Sequence, residues 1–125
     1  MADGEPNFIG LFGREPKTVT LSAGQTLFAK GDDAHSMFVV LSGEVTVGEG
    51  NVVFDRLQAG SIVGEMALID GGPRSATVTA SKDSVLAEID EKRLLFLVQQ
   101  TPMFALNLMR LMSQRLRKMN QLAGS

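Results

Sequence analysis

The pattern of apolar and polar positions changes its period once along the chain. From Thr18 to Ile89 the apolar residues alternate with polar neighbours or come in short runs. Val19 and Leu21 alternate, Met37–Leu41 is a continuous run with β-branched members, and Val45 and Val47 alternate again. Val52–Phe54, Ile62–Val63, Ala76–Val78 and Val85–Ile89 complete the set. Turn formers separate them: Ala23-Gly24, Gly31-Asp32-Asp33, Ser42-Gly43, Gly48 to Asn51, Ala59-Gly60 and Asp70 to Pro73. Short strands at roughly 8–12-residue spacing predict an all-β sandwich or barrel rather than βαβ units. Two-sheet jelly-roll wrapping is a common way for such chains to protect their edges.

Beyond Asp90 the period becomes helical. Asp90 is placed to cap a helix over Glu91–Gln100, and Thr101-Pro102 interrupts it. Proline is tolerated in a first helical turn, so Pro102 can open a second helix. There Ala105, Met109, Met112, Leu116 and Met119 recur at alternating four- and three-residue steps, which is one apolar stripe. Phe104, Leu108 and Leu111 widen it in the first half only. The spacing predicts a helix that starts packed on the β body and ends in a narrower seam.

Composition narrows the chemistry. A chain of 125 residues with 44% hydrophobic and 21% charged residues is expected to form one domain, here over residues 7–122, with a core that needs no staples. The absence of cysteine removes disulfides, thiolate nucleophiles and Cys-ligated zinc. His35 is the one histidine, too few for a His-rich metal site, and a turn histidine after Asp32-Asp33 reads as solvent-facing. No metal and no cofactor are therefore expected. All 14 acidic residues lie at or before Glu91, with six basic ones, so that block carries −8; the remaining six basic residues give residues 92–125 a charge of +6. The total of −2 offers no bulk field for nucleic acid or anionic lipid, so no direct nucleic-acid partner is expected. The basic run Arg115 to Lys118 has two readings, cations favoured near a helix C-terminus and a surface for a partner or membrane, and the first is preferred. The opening MADGEPNFIG has neither a basic n-region nor an apolar h-region, and no apolar run is long enough for a bilayer. The expectation is a cytoplasmic protein with no transmembrane segment.

The segment from Gly60 to Val78 carries the chemistry. Gly64 lets a backbone approach a ligand closely. Glu65-Met66-Ala67-Leu68 are good helix formers, and the first N–H groups of a helical turn have no partners within it, an arrangement that suits an anion. Asp70 to Pro73 turns the chain, and Arg74 returns at the head of a strand. A guanidinium is a planar fork matched to phosphate. Glu65, on the same loop, can accept a sugar hydroxyl. One phosphate clamp and one ribose acceptor suit a nucleotide with a single phosphate; neither G-x-x-x-x-G-K-[ST] nor G-x-G-x-x-G occurs. Spacing alone leaves open whether that phosphate is cyclic.

Two blocks resemble the cyclic-nucleotide-binding domain family of catabolite-activator-type regulators, protein kinase regulatory subunits and cyclic-nucleotide-gated channels. The first runs from Ala23-Gly24 through Gly31-Asp32 to Met37–Leu41, Gly43 and Val45, and is similar to the family's structural glycine pattern. The second, Gly64 to Leu68 with Pro73 to Val78, is similar to its phosphate-binding cassette. The resemblance covers about residues 18–122. It implies a mainly β jelly-roll β-sandwich (β-roll) with short flanking helices and two C-terminal helices, the last acting as a lid. It implies that Arg74 pairs with the cyclic phosphate and Glu65 accepts the ribose 2′-hydroxyl. Backbone N–H groups around Met66-Ala67 and Ser75-Ala76, beside Gly64, would complete the cradle. Phe54 and Val63 would line the base pocket, and Leu111 or Arg115 would meet the base from the lid. Ser75 stands where cAMP-preferring members often carry Ala or Ser and cGMP-preferring ones Thr, so cAMP is expected over cGMP.

The implied function is a non-enzymatic cyclic-nucleotide receptor module whose effector domain or partner protein the sequence does not name. Enzyme readings lack support: a cupin-type metal site needs converging ligands that one histidine cannot supply. The other reading is a protein-interaction or dimerisation module on the same fold that binds no nucleotide, with the Met-Leu seam and the basic helix as its contact.

Overall fold

A computed structural model describes residues 5–122. Eight strands form two four-stranded antiparallel sheets, in the orders β1-β8-β3-β6 and β2-β7-β4-β5. The strands are β1 (Thr18–Leu21), β2 (Thr26–Phe28), β3 (Ser36–Ser42), β4 (Glu44–Glu49), β5 (Val52–Gln58), β6 (Ile62–Val63), β7 (Thr77–Ala80) and β8 (Ser84–Asp90). The helices are α1 (Ile9–Phe12), α2 (Glu65–Asp70), α3 (Glu91–Gln100) and α4 (Pro102–Leu122). Successive strands thus switch between sheets until the β4–β5 hairpin, and the two halves wrap as a jelly roll.

Burial explains the pairing. Leu21, Phe38, Val40, Val63 and Leu86 from the first sheet meet Val45, Leu57, Val78 and Ala80 from the second in one apolar cluster. β3 is buried on both faces: Phe38 and Val40 enter that cluster, while Met37 and Val39 sit opposite Ile89 and Ala87 of β8 on the other face. α1 and α2 pack against β3. Because side chains alternate along a strand, a one-residue slip of β3 would exchange its two apolar faces.

The sequence-predicted strands are all present, with β7 beginning at Thr77 rather than Ala76. Two elements had no periodic signal. β2 is three residues long, half-buried at best, and pairs with β7 through an irregular register. α1 has four residues. The turn glycines Gly24, Gly31, Gly43 and Gly60 all hold positive φ. At Gly43 a Cβ would also collide with Asp83 and Ser84, so the β3–β4 turn needs glycine twice over.

The chain divides into two compact units, one reaching to Glu91 and one beginning at Lys92, where the charge changes sign. In the second unit α3 buries Leu94 and Leu97. α4 departs from its expected face. Phe104, Leu108 and Leu111 are buried and Arg115 and Lys118 half-buried, whereas Met109, Leu116 and Met119 of the predicted stripe are exposed. The two stripes are adjacent on the helix, and burial follows the one bearing the phenylalanine and two leucines. No helix among the described residues is long and apolar enough to cross a membrane.

Candidate functional site

The site is built where β6, α2 and β7 follow one another. Gly64 takes the left-handed conformation (φ +80°) between β6 and α2. A Cβ there would lie 2.6 Å from Arg74 Nη1 and 3.2 Å from the Phe28 ring, so both the backbone angle and the close approach require glycine. α2 carries no side-chain cap at its start and ends at Gly71, also left-handed, whose N–H donates to the Ala67 carbonyl. The Gly72 N–H donates to Asp70 Oδ1, and the chain reaches Arg74.

Arg74 is pinned by main chain and side chain. Its N–H donates to the Asp32 carbonyl (2.9 Å) and its own carbonyl accepts from Gly31 (2.8 Å), tying it to the β2–β3 loop. The residue is 5% exposed. Nη1 donates to the Gly64 carbonyl at 3.0 Å and Nη2 to the Ser36 carbonyl at 2.6 Å. The guanidinium carbon lies 3.9 Å from the centroid of Phe28 and 5.9 Å from that of Phe38. Nε is buried with no hydrogen-bond partner. Burial pulls the Arg74 pKa below its ordinary value, and the charges of Asp32 and Glu65 oppose that fall. Glu65 is itself 3% exposed. Arg74 is thus a buried cation with one unpaired donor, and the charges of Asp32 and Glu65 favour its charged form.

Most of the predicted residues come together here. Gly64, Glu65 and Ala67 line the turn into α2, with Glu65 and Ala67 buried and Met66 exposed. Ser75 is exposed and Ala76 buried as the chain enters β7. Val63 lies in the core cluster opposite Phe38. Phe54 is about half exposed on the edge strand β5, at the bulge facing Val47 and Gly48, with β4 between it and β7. Leu111 is buried and Arg115 half-buried on α4, in the second unit. Sequence reading missed Phe28, which contacts the guanidinium directly. Its signal was faint, because it ends a strand too short to show a period. His35 is exposed. Among the described residues no three His, Asp or Glu side chains gather as a metal site.

Comparison with known proteins decides the family. The cyclic nucleotide-binding domain family matches residues 18–101. The chain belongs to this family. It is 33% identical over 100 residues to the cyclic AMP receptor protein of Thermus thermophilus, covering 76% of this chain and 46% of that protein. It is 33% identical over 105 residues to a patatin-like phospholipase domain-containing protein of Caenorhabditis elegans, covering 84% of this chain and 8% of that one. The crystal structure of Thermus thermophilus catabolite activator protein superposes with a TM-score of 0.80 at 28% identity, over 86% of this chain and 53% of the other. The chain thus spans about half or less of the length of these relatives, and the family fold is the one described above.

Proposed function

We propose that this cyclic nucleotide-binding domain is a receptor for a cyclic nucleoside monophosphate, cAMP in preference to cGMP, held at Gly64–Ala67 and Arg74–Ala76. One observation carries the reading: a buried guanidinium whose Nε has no partner, electrostatically coupled to buried Glu65. Leaving a buried donor unpaired costs about 1–3 kcal/mol, and a phosphate oxygen would satisfy it. Arg74 takes the phosphate charge, Glu65 accepts the ribose hydroxyl, and main-chain N–H groups at Met66-Ala67 and Ser75-Ala76 complete the cradle. Phe54 and Val63 face the base, and the small Ser75 favours adenine.

Residues 7–122 act as one module. Ligand binding draws α4 over the base through Leu111 or Arg115, and it does so by binding the closed form more tightly than the open one. The module itself binds and does not catalyse; an effector domain or partner protein reads out its state. The match to a phospholipase domain-containing protein is compatible with that, since a regulatory module can sit beside a catalytic one. A cytoplasmic location follows from the ligand, an intracellular messenger.

Calorimetry with cAMP and cGMP tests the reading. Arg74→Ala is expected to weaken cAMP by about 2–5 kcal/mol, the cost of stripping one partner from a buried charge pair. That is roughly 30- to several-thousand-fold. Equal affinity in the variant and the parent would exclude the site. With neither Trp nor Tyr in the chain, a purine absorption band in freshly purified protein would report co-purified ligand directly.

The exposed stripe Met109, Leu116 and Met119 favours a second reading, self-association through α4. No binding heat from either nucleotide, with a concentration-dependent oligomer, would select a dimerisation module that binds no nucleotide.

A further inference from the structure

We infer that Phe28 is a positioning residue for Arg74, setting the plane of the guanidinium before ligand arrives. The inference rests on the reading of Arg74 as the phosphate-binding group. The side chain of Arg74 is held on two edges and one face. Nη1 and Nη2 donate to carbonyl oxygens of Gly64 and Ser36, which fix two corners of the fork. Those two bonds leave the fork free to rock about the line joining the nitrogens. The Phe28 ring removes that freedom, because the guanidinium carbon lies 3.9 Å from its centroid and the negative face of an aromatic ring attracts a cation.

The ring is in turn fixed. It is half-buried in β2, partly packed on the apolar cluster, and lies 6.2 Å from the Phe38 ring in a tilted pair. Its Cε2 and Cζ also lie beside Gly64, within 3.3 Å of where a Cβ would stand. Phe28 therefore touches both the cation and the turn that opens the cassette. Held this way, the guanidinium keeps Nη1 and Nη2 on protein carbonyls and leaves Nε as a buried, unpaired donor.

The consequence for binding is a population effect. Where only a fraction of the free protein presents Arg74 correctly, apparent affinity falls by that fraction. Removing the platform lets other guanidinium orientations populate, and the loss is bounded by the strength of the cation–π contact. For a contact between the exposed and the desolvated limits this is about 5- to 30-fold.

The test replaces the Phe28 ring in the full chain by its singly, doubly and triply fluorinated analogues. These keep its shape and drain its negative face. The expected result is a stepwise weakening of cAMP binding, with thermal midpoints falling by no more than the lost cation–π contact accounts for, and Phe28→Leu at the weak end of the series. Affinity that stays flat across the series would overturn the inference while leaving the cyclic-nucleotide reading intact. Absence of any cAMP or cGMP binding by the parent protein would instead overturn that reading. The ring-current shift of the Arg74 side-chain protons in the free protein then decides for Phe28: its loss in Phe28→Leu supports the platform, and its persistence refutes it.

Discussion

The main-chain carbonyl of Ser36 accepts the Nη2–H of Arg74 at 2.6 Å, joining residues 38 positions apart and the two sheets of the roll. Ser36 opens β3 and Arg74 leads into β7, so the buried bond ties the start of one strand to the approach to the other. The Ser36 hydroxyl donates in the other direction, to Glu88 on β8, whose carboxylate also meets Lys17 at 3.6 Å. The acceptor for Arg74 is backbone, so Ser36→Ala leaves it in place. Replacing the guanidinium has no such tolerance.

Arg74→Lys keeps the charge and loses the fork. An ammonium is a point charge on a flexible stem and cannot reach the Gly64 and Ser36 carbonyls while presenting a further donor from the same plane. One of the two carbonyls then loses a charged donor, at about 1.5–3 kcal/mol. The expected outcome is weaker cAMP binding by calorimetry, by roughly tenfold or more, and a lower thermal midpoint than the parent.

Glu65→Gln should cost less. An amide oxygen can still accept a hydroxyl, so the loss is about 1–2 kcal/mol of charge-assisted hydrogen bonding. The variant also removes the negative charge that stabilises the Arg74 cation. Titration with cAMP and with its 2′-deoxy analogue checks the assignment. The parent should discriminate between them and Glu65→Gln should discriminate less; equal discrimination would place the ribose elsewhere.

Gly64→Ala tests the turn itself. At φ +80° an L side chain costs about 1–3 kcal/mol. The new Cβ would also push on Arg74 Nη1 and on the Phe28 ring, at 2.6 and 3.2 Å. Denaturant unfolding should show a loss of at least that size, with cAMP affinity falling too. Gly71→Ala, also left-handed but with open space around its Cβ position, should lose stability without the steric part.

Much of this roll is legible in the amino-acid pattern alone. β4 announces itself by valines at every second residue, and β3 and β8 by short apolar runs bounded by turn formers. Glu65 and Arg74 stand out from the order glycine, acid, short helix, arginine. Three things were hidden. Phe28 sits on a three-residue strand, shorter than any periodicity test. The carbonyls that hold Arg74 belong to Gly64 and Ser36, and main-chain acceptors leave no mark in a sequence. The third is which part of the α4 stripe is buried: Phe104, Leu108 and Leu111, which widen it, are covered, while Met109, Leu116 and Met119 lie exposed beside them. Only packing chooses between such neighbouring stripes.

Ser61 offers a stability test away from the site. Its side chain is 1% exposed and its hydroxyl finds no partner, although its N–H and C=O bond to Gln58 and Val40. Burying an unpaired hydroxyl is unfavourable, and replacing it with an apolar group of similar size is neutral or stabilising. Ser61→Ala should leave the midpoint of thermal unfolding unchanged or raise it, with a gain in unfolding free energy of up to about 2 kcal/mol. A clear drop would show that the hydroxyl is hydrogen-bonded in solution.

The acid side of the stability profile is set in part by Glu44. It opens β4 beside Gly43, and its carbonyl accepts from the N–H groups of Ser81 and Lys82. Its carboxylate accepts from Gln58 Nε2 (2.8 Å) and Ser81 Oγ (2.7 Å). Those bonds, with the nearby charges of Lys82 and Arg56, hold its pKa below the ordinary 4.5. A carboxyl that is more acidic folded than unfolded contributes stability above its unfolded pKa. That contribution is lost as pH falls through the folded value. Unfolding free energy should therefore decline as pH drops below about 4.5, with Glu44 as one contributor. Glu44→Gln cannot titrate, and its amide nitrogen meets a donor where the carboxylate met two. The variant should be less stable than the parent near neutral pH and the gap should close in acid. Denaturant titrations across that range would show the two curves converging; parallel curves would mean that Glu44 has the same pKa folded and unfolded.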